Sequence, residues 1–440
     1  MGKDDVLQYK PVFFCPDPVS LITEVKRLRG NEEETVNLLQ GDSGQGWTKI
    51  GLSIIKKTDL EREPVGVRVP AAGLHCVVEE GEELSPGPSK RKRRTRAEGV
   101  AGGQSFKDWD AMRMILLVVV RTVSESHFNL KILFDAINSE SFLFILTGDF
   151  AFLMPIIGCV KGCSSCNPCP LCDIRRTKVG GGKARWVEEK DVSLRTLGDQ
   201  FSNHAGWVME GEKQSATATS KWQSVCGQPL LAMTEGRSLE QLILHTIVPG
   251  PLHIYLSLNE VFNFAEITIC PNIKELFQQV AGVQFHVYQG RVGNYQGPQI
   301  NKIFRHLDQL EAYFLGGSLM RYFFVTFQAF RDVAQTLFSK GELQPWWREK
   351  LRHIRTCLHL LNSKFGMPIT PKLHVLIVHI EQWVDVFCRP LGREGEQGGE
   401  AVHHVWLRLL ETLGEPKEKS GPVFVIFAMK ALLIFNTNNV

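Results

Sequence analysis

Four short, largely apolar runs constrain the fold more than any other feature of the chain. They are Thr35–Gln40 (TVNLLQ), Trp47–Ile55 (WTKIGLSII), Met112–Val120 (MRMILLVVV) and Phe142–Thr147 (FLFILT). Each is short for a helix and rich in β-branched or large apolar residues, as a strand buried on both faces would be. Val65–Pro70 and Gly73–Val78 predict a further strand, bent at Pro70. Asn129–Asn138 (NLKILFDAIN) carries helical spacing between two of the runs. The pattern predicts an α/β fold, with a central sheet covered by helices on both faces.

From about residue 190 to 390 the spacing turns helical. Leu239–Ile247, Leu252–Ala265, Ile300–Phe314, Leu319–Ser339, Trp346–Phe365 and Lys372–Phe387 place apolar residues three and four apart, and no further strand is expected there. Ala401–Leu413 is the last expected helix. The division that follows is 1–160 for the first part of the α/β core, 161–390 for a helical insertion, and 391–440 for the end of the core. With 440 residues, one domain carrying a large insertion is a reasonable size.

Composition excludes several classes. Hydrophobic residues at 43% and charged residues at 22% rule out a wholly disordered or collagen-like chain. A net charge of +3 gives no bulk attraction to nucleic acid, so any such contact needs a local patch. One patch exists, Lys90–Arg96 (KRKRRTR), inside a linker at 79–107 with almost nothing apolar to bury. It suits a nuclear-import signal, a DNA-backbone contact or a solvated loop. No signal peptide is expected at the charged start. Ser141–Val160, broken by Gly148, Asp149, Pro155 and Gly158, and Val423–Phe435, which is short and contains Lys430, read as buried core, so no membrane contact is expected.

Three groups of residues can carry chemistry. Asp42 follows a strand-like run and opens the glycine-rich turn Gly41–Gly46, and Asp149 ends FLFILT. Carboxylates at the ends of buried strands are held rigidly and can fix a divalent ion, although turn residues of the same type are often only solvated. Glu400 enters a helix from a glycine-rich loop, where it is either a third such carboxylate or a capping residue. Glu396 in the same loop competes for the role.

The third group is sulfur and imidazole. Cys163, Cys166, Cys169 and Cys172 crowd into ten residues, and His374 and His379 stand five apart far downstream. Cys169 and Cys172 form a CxxC. Two thiolates with two imidazoles make a closed tetrahedral zinc site. Five residues on an α-helix subtend about 140°, so a bend or helix end must bring the histidines together. The four-cysteine run also has the look of an iron–sulfur ligand set, but its spacing and proline differ from the bacterial pattern.

Taken in order, these pieces resemble the catalytic core of the RAG-like and Transib-type DDE recombinases, and transposon-derived animal proteins in segments such as SESHFNLKIL, Pro251-Leu252-His253 and GEQGGEAVHH. The resemblance covers about residues 35 to 410. It implies an RNase H-like mixed sheet interrupted by a large all-helical, zinc-bearing insertion. It implies Asp42, Asp149 and Glu400 as catalytic ligands of two Mg²⁺ or Mn²⁺ ions. Cys169, Cys172, His374 and His379 would be structural zinc ligands. The implied activity is phosphodiester hydrolysis and strand transfer on DNA, in the nucleus, by a dimer. The alternative is an inactive, domesticated module that binds DNA or protein. With 41 residues ahead of Asp42, no separate end-recognition domain is expected.

Overall fold

The computed structural model describes residues 12–30, 34–44, 47–57, 114–121, 125–160, 165–179, 183–186, 192–212, 221–231, 237–268, 270–284, 287–288, 291–292, 294–314, 318–339, 342–393, 397–414, 416 and 421–439. Positions 42–44, 177–179, 183–186, 287–288, 291–292, 318–319, 393, 397–401, 403–404, 421–422 and 437–439 are described by backbone alone. The expected linker at 79–107 and the expected strand within 65–78 lie outside the described residues.

The strands are β1 (Val12–Phe14), β2 (Thr35–Gly44), β3 (Trp47–Lys56), β4 (Met114–Arg121), β5 (Ile145–Gly148), β6 (Arg176–Val179), β7 (Lys183–Trp186), β8 (Ile247–Pro249), β9 (Val287–Tyr288) and β10 (Arg291–Val292). Six form one mixed open sheet in the order β1-β4-β3-β2-β5-β8, while β6 pairs with β7 and β9 with β10. β2 and β3 form a hairpin paired from Thr35↔Lys56 to Gly44↔Trp47. β4 adds antiparallel to β3, and β5 and β8 add parallel on the far side of β2. Parallel neighbours need crossovers. α1 (Pro18–Leu28) precedes β2, α2 (His127–Ala136) carries the chain from β4 to β5, and α3 (Phe150–Ile156) leaves β5 directly.

β4 explains how the sheet is buried on both sides. Ile50 pairs with Val118 and Gly51 with Leu116, so Leu117 is the extra residue of a β-bulge. Ile115, Leu117, Val118 and Val120 face the main core. Met114, Leu116 and Val119 face a second, smaller one. That second core is roofed by α14 (Gln397–Leu413) and α15 (Gly421–Asn439) once the helices of the intervening body are counted. Asn436 of α15 binds the β4 edge beyond the end of β1: its amide oxygen accepts from Leu116 N at 2.8 Å, and its amide nitrogen donates to Leu116 O at 3.0 Å. A side chain thus satisfies backbone groups that would otherwise be orphaned.

The intervening body holds α4 (Leu197–Met209), α5 (Pro251–Leu256), α6 (Leu258–Thr268), α7 (Ile273–Ala281), α8 (Gly297–Arg305), α9 (Leu307–Phe314), α10 (Ser318–Leu337), α11 (Trp347–Phe365), α12 (Pro371–His374) and α13 (Ile380–Phe387). The phenylalanine-rich segment packs inward: Phe323, Phe324, Phe327 and Phe330 are all buried.

Three expectations are corrected. The segment 161–390 is not all-helical, because β8 lies inside it and joins the central sheet, and β6 and β7 form a hairpin. Three residues are too few to show a strand period, and Leu239–Ile247 imitates helical spacing. The strand containing Asp42 does not stop at Gln40, since the ladder continues to Gly44. Ala401–Leu413 is not the last helix. α15 follows, and its residues are apolar nearly all round, which erases the amphipathic signal.

Candidate metal centre and the acidic strand ends

Cys169, Cys172, His374 and His379 converge although about 200 residues separate the pairs along the chain. All four are buried, and one ligand atom from each lies within 4.8 Å of the others. Cys172 Sγ is 3.3 Å from His374 Nε2, which is 3.2 Å from His379 Nε2. This cluster can hold a metal ion such as zinc.

The local backbone shows how the sequence achieves it. Between α12 and α13 the helix widens into a π turn, Val375–His379, in which Ile380 N donates to Val375 O. That i→i+5 turn takes up one residue more than an α turn. It supplies the bend that the histidine spacing demanded, and both imidazoles reach the same point. Thr370 starts α12 by accepting from Leu373 N at 3.4 Å, with Pro371 at the first helical position. Gln382 Oε1 lies 2.8 Å from His379 Nδ1, so the Nδ1–H donates there and Nε2 keeps its lone pair for the cluster.

Burial raises both thiols. For Cys169, Cys172 and the two imidazoles outweigh burial and hold it well below the ordinary thiol range, while burial and the neighbouring sulfur push Cys172 up. A lowered thiol favours the thiolate form that a metal ligand must take. Cys166 is half-buried and does not join this cluster, and Cys163 lies outside the described residues.

The acidic strand ends are set by register. Gly41 pairs with Gly148 across the parallel β2/β5 ladder, and Gly148 pairs with Pro249 across β5/β8. Asp42 and Asp149 are thus the next residues on neighbouring strands. The two glycines have a packing reason. A Cβ on Gly41 would lie 1.8 Å from the Phe152 ring, and one on Gly148 would lie 2.7 Å from it. Phe152 can fold back over both strands only where side chains are missing.

Asp149 is half-buried and caps α3, its Oδ1 accepting from Phe152 N at 2.8 Å. Asp42 stands opposite Lys49 of β3, which is buried. α14, with Glu400 in its first turn, packs on β2 and β4. Val402, Trp406 and Leu410 of α14 are buried there, and the Trp406 ring meets Trp47 edge-on at 5.7 Å. The side chains of Asp42 and Glu400, and all of Glu396, lie outside the described residues.

Two residues to which the sequence assigned no role, His253 and Glu260, share Lys372 as a charged neighbour, and His253 also neighbours Asp149. His253, in α5 just after β8, is mostly buried. Burial holds its imidazole below the ordinary value, with Asp149 and Lys372 as charged neighbours. Burial likewise raises Glu260, which bonds the Thr370 side chain and feels Lys372. Glu260 Oε2 has no hydrogen-bond partner among the described residues. The helix that delivers His374 to the metal cluster therefore also brings Lys372 towards the end of β5. The proximity of Lys372 to His374 in sequence was the available signal, and it pointed in two directions at once.

No protein-family model matches the chain, and no curated protein matches it. No helix among the described residues is long and apolar enough to cross a membrane.

Proposed function

We propose that this chain is a transposase- or recombinase-like DNA nuclease built on an RNase H-like fold. The strand order supports the fold. Three consecutive antiparallel strands (β2, β3, β4) are extended on the side of the first by two parallel ones (β5, β8), as an RNase H-like sheet requires. The observation that carries the activity is the Gly41↔Gly148 register, which makes Asp42 and Asp149 neighbours at one end of the sheet. The packing of α14 on β2 brings the helix of Glu400 to the same sheet.

Bound between these carboxylates, two Mg²⁺ or Mn²⁺ ions would supply Lewis-acid activation of the attacking hydroxyl and stabilisation of the leaving oxygen. The protein's own work is positional. Parallel strands fix Asp42 and Asp149, and the N-cap bond orients the Asp149 carboxylate. Lys372 and His253 would offer positive and hydrogen-bonding groups to a phosphate backbone beside Asp149. Cys169, Cys172, His374 and His379 form a structural zinc site, because the donor set is closed and buried. DNA contacts of this kind are mostly to phosphate, so binding should weaken steeply with salt. A DNA substrate implies the nucleus, and the resemblance adds a dimer.

A second reading, a non-catalytic binding module of the same descent, is favoured by one observation: Asp149 Oδ1 is already engaged as a helix cap. Asp149→Asn separates the two. Asparagine caps as well as aspartate but is a poor ligand for a hard divalent ion. The wild-type protein is expected to nick duplex DNA with Mg²⁺ or Mn²⁺, and Asp149→Asn to fall to background at unchanged thermal stability. Nicking by the variant at the wild-type rate would reject the assignment. A wild type that binds DNA but never nicks it would establish the second reading.

A further inference from the structure

Beneath the CxxC loop lies a side chain that neither the fold nor the proposed chemistry accounts for. Arg195 is 1% exposed. Its Nε donates to the carbonyl oxygens of Cys172 at 2.8 Å and Cys169 at 3.2 Å. Nη1 donates to Gln223 Oε1 at 3.3 Å, and Nη2 to Gln223 O at 3.3 Å and Asn167 O at 3.5 Å. Its backbone is tied to the same loop, since Arg195 N donates to Leu171 O at 2.9 Å. Every one of these acceptors is neutral, and no carboxylate pairs with the guanidinium among the described residues.

A buried cation without a counter-ion is costly unless a negative charge lies close by. Here the compensation is geometric: five oxygen acceptors, from Asn167, Cys169, Cys172 and Gln223, surround the guanidinium. A lysine could supply the charge, but only a planar fork can hold two adjacent carbonyls on one side and a third segment on the other. The segments so joined are the CxxC loop itself, 167–172, and the chain at 195 and 223.

We propose that Arg195 is the positioning residue of the metal centre, clamping the Cys169 and Cys172 carbonyls so that both sulfurs face His374 and His379. The proposal rests on the reading of that cluster as a zinc site. It predicts that Arg195 sets metal affinity and geometry rather than stability alone.

The test loads metal-stripped full-length protein with Co²⁺, follows the visible ligand-field and thiolate charge-transfer bands, and measures Zn²⁺ affinity by competition with a chromophoric chelator. Arg195→Met is expected to weaken zinc binding about 10- to 100-fold and to distort the cobalt spectrum, as loss of an outer-shell partner does. Arg195→Lys should fall between it and the wild type. If Arg195→Met does not fold, Gln223→Asn removes only the outer anchor and should weaken binding in the same direction by less. Wild-type affinity and spectrum in whichever of these variants folds would overturn the proposal. A wild-type protein that takes up no equivalent of Co²⁺ or Zn²⁺ would instead overturn the zinc reading on which it rests.

Discussion

The metal cluster and the acidic strand ends are assembled from different materials. The cluster is a matter of side chains: four buried donors, a glutamine orienting one imidazole, and a guanidinium under the loop. The acidic edge is a matter of backbone. Paired glycines let a phenylalanine lie across two strands, and the ladder then sets the next two residues side by side. The first arrangement is closed, as suits a structural ion. The second lies at one end of the sheet, where Asp149 is half-buried. The difference predicts that damage to one should spread through the helical body, while damage to the other should stay local.

The largest effect is expected from Cys172→Ser. Structural zinc carries about 10–16 kcal/mol of apparent binding free energy in zinc-finger peptides, so losing a ligand here should cost several kcal/mol. Metal analysis and thermal unfolding would report it together, and a variant that keeps both zinc and melting temperature would break the contrast. Next comes Trp406→Ala, which should cost about 3–5 kcal/mol through a cavity under α14. Zinc content should be unaffected and nicking lost, since the helix of Glu400 would lose its seat on β2. Zinc loss in this variant would show that the two regions are one cooperative unit.

Gly41→Ala ranks third. The new methyl must displace the Phe152 ring, at about 1–3 kcal/mol. A urea midpoint for Gly41→Ala with and without Phe152→Leu checks the mechanism, because the smaller side chain should relieve part of the cost. The smallest effect concerns pH. His127, bonded to Gln228 O at 2.6 Å, has its imidazole held below the ordinary 6.5 by burial. The unfolded chain therefore takes up the proton first. Stability should be full above pH 6.5 and fall as pH drops from there through the folded value. In His127→Gln that limb of a melting-temperature profile should be shallower, and an unchanged limb would assign it elsewhere.

Particular residues show what could be foreseen. The CxxC and the histidine pair were legible because metal ligands are few in kind and fixed in spacing. The runs around Leu39, Ile50, Val118 and Leu146 were legible because strands buried on both faces need apolar residues throughout. β8 was hidden: three residues acquire strand character only by lying beside β5. α15 was hidden for the opposite reason, having too many apolar residues to show a face. Arg195 was beyond reach, since nothing local distinguishes an arginine destined for burial from a solvated one. Gly41 was noticed as part of a turn and Gly148 as a break in an apolar run, when at both the missing Cβ serves a neighbouring ring.

The π turn at Val375–His379 has a consequence for how this chain can change. It behaves as a single surplus residue that shifts the phase between the two halves of one helix. Deleting any one residue from 375 to 378 would restore ordinary helical phasing and leave both histidines in the sequence. The histidines would then stand four apart, about 40° from one another around the axis, so the chelate should survive this one-codon deletion, whereas the same deletion in a regular helix would swing one ligand by about 100°.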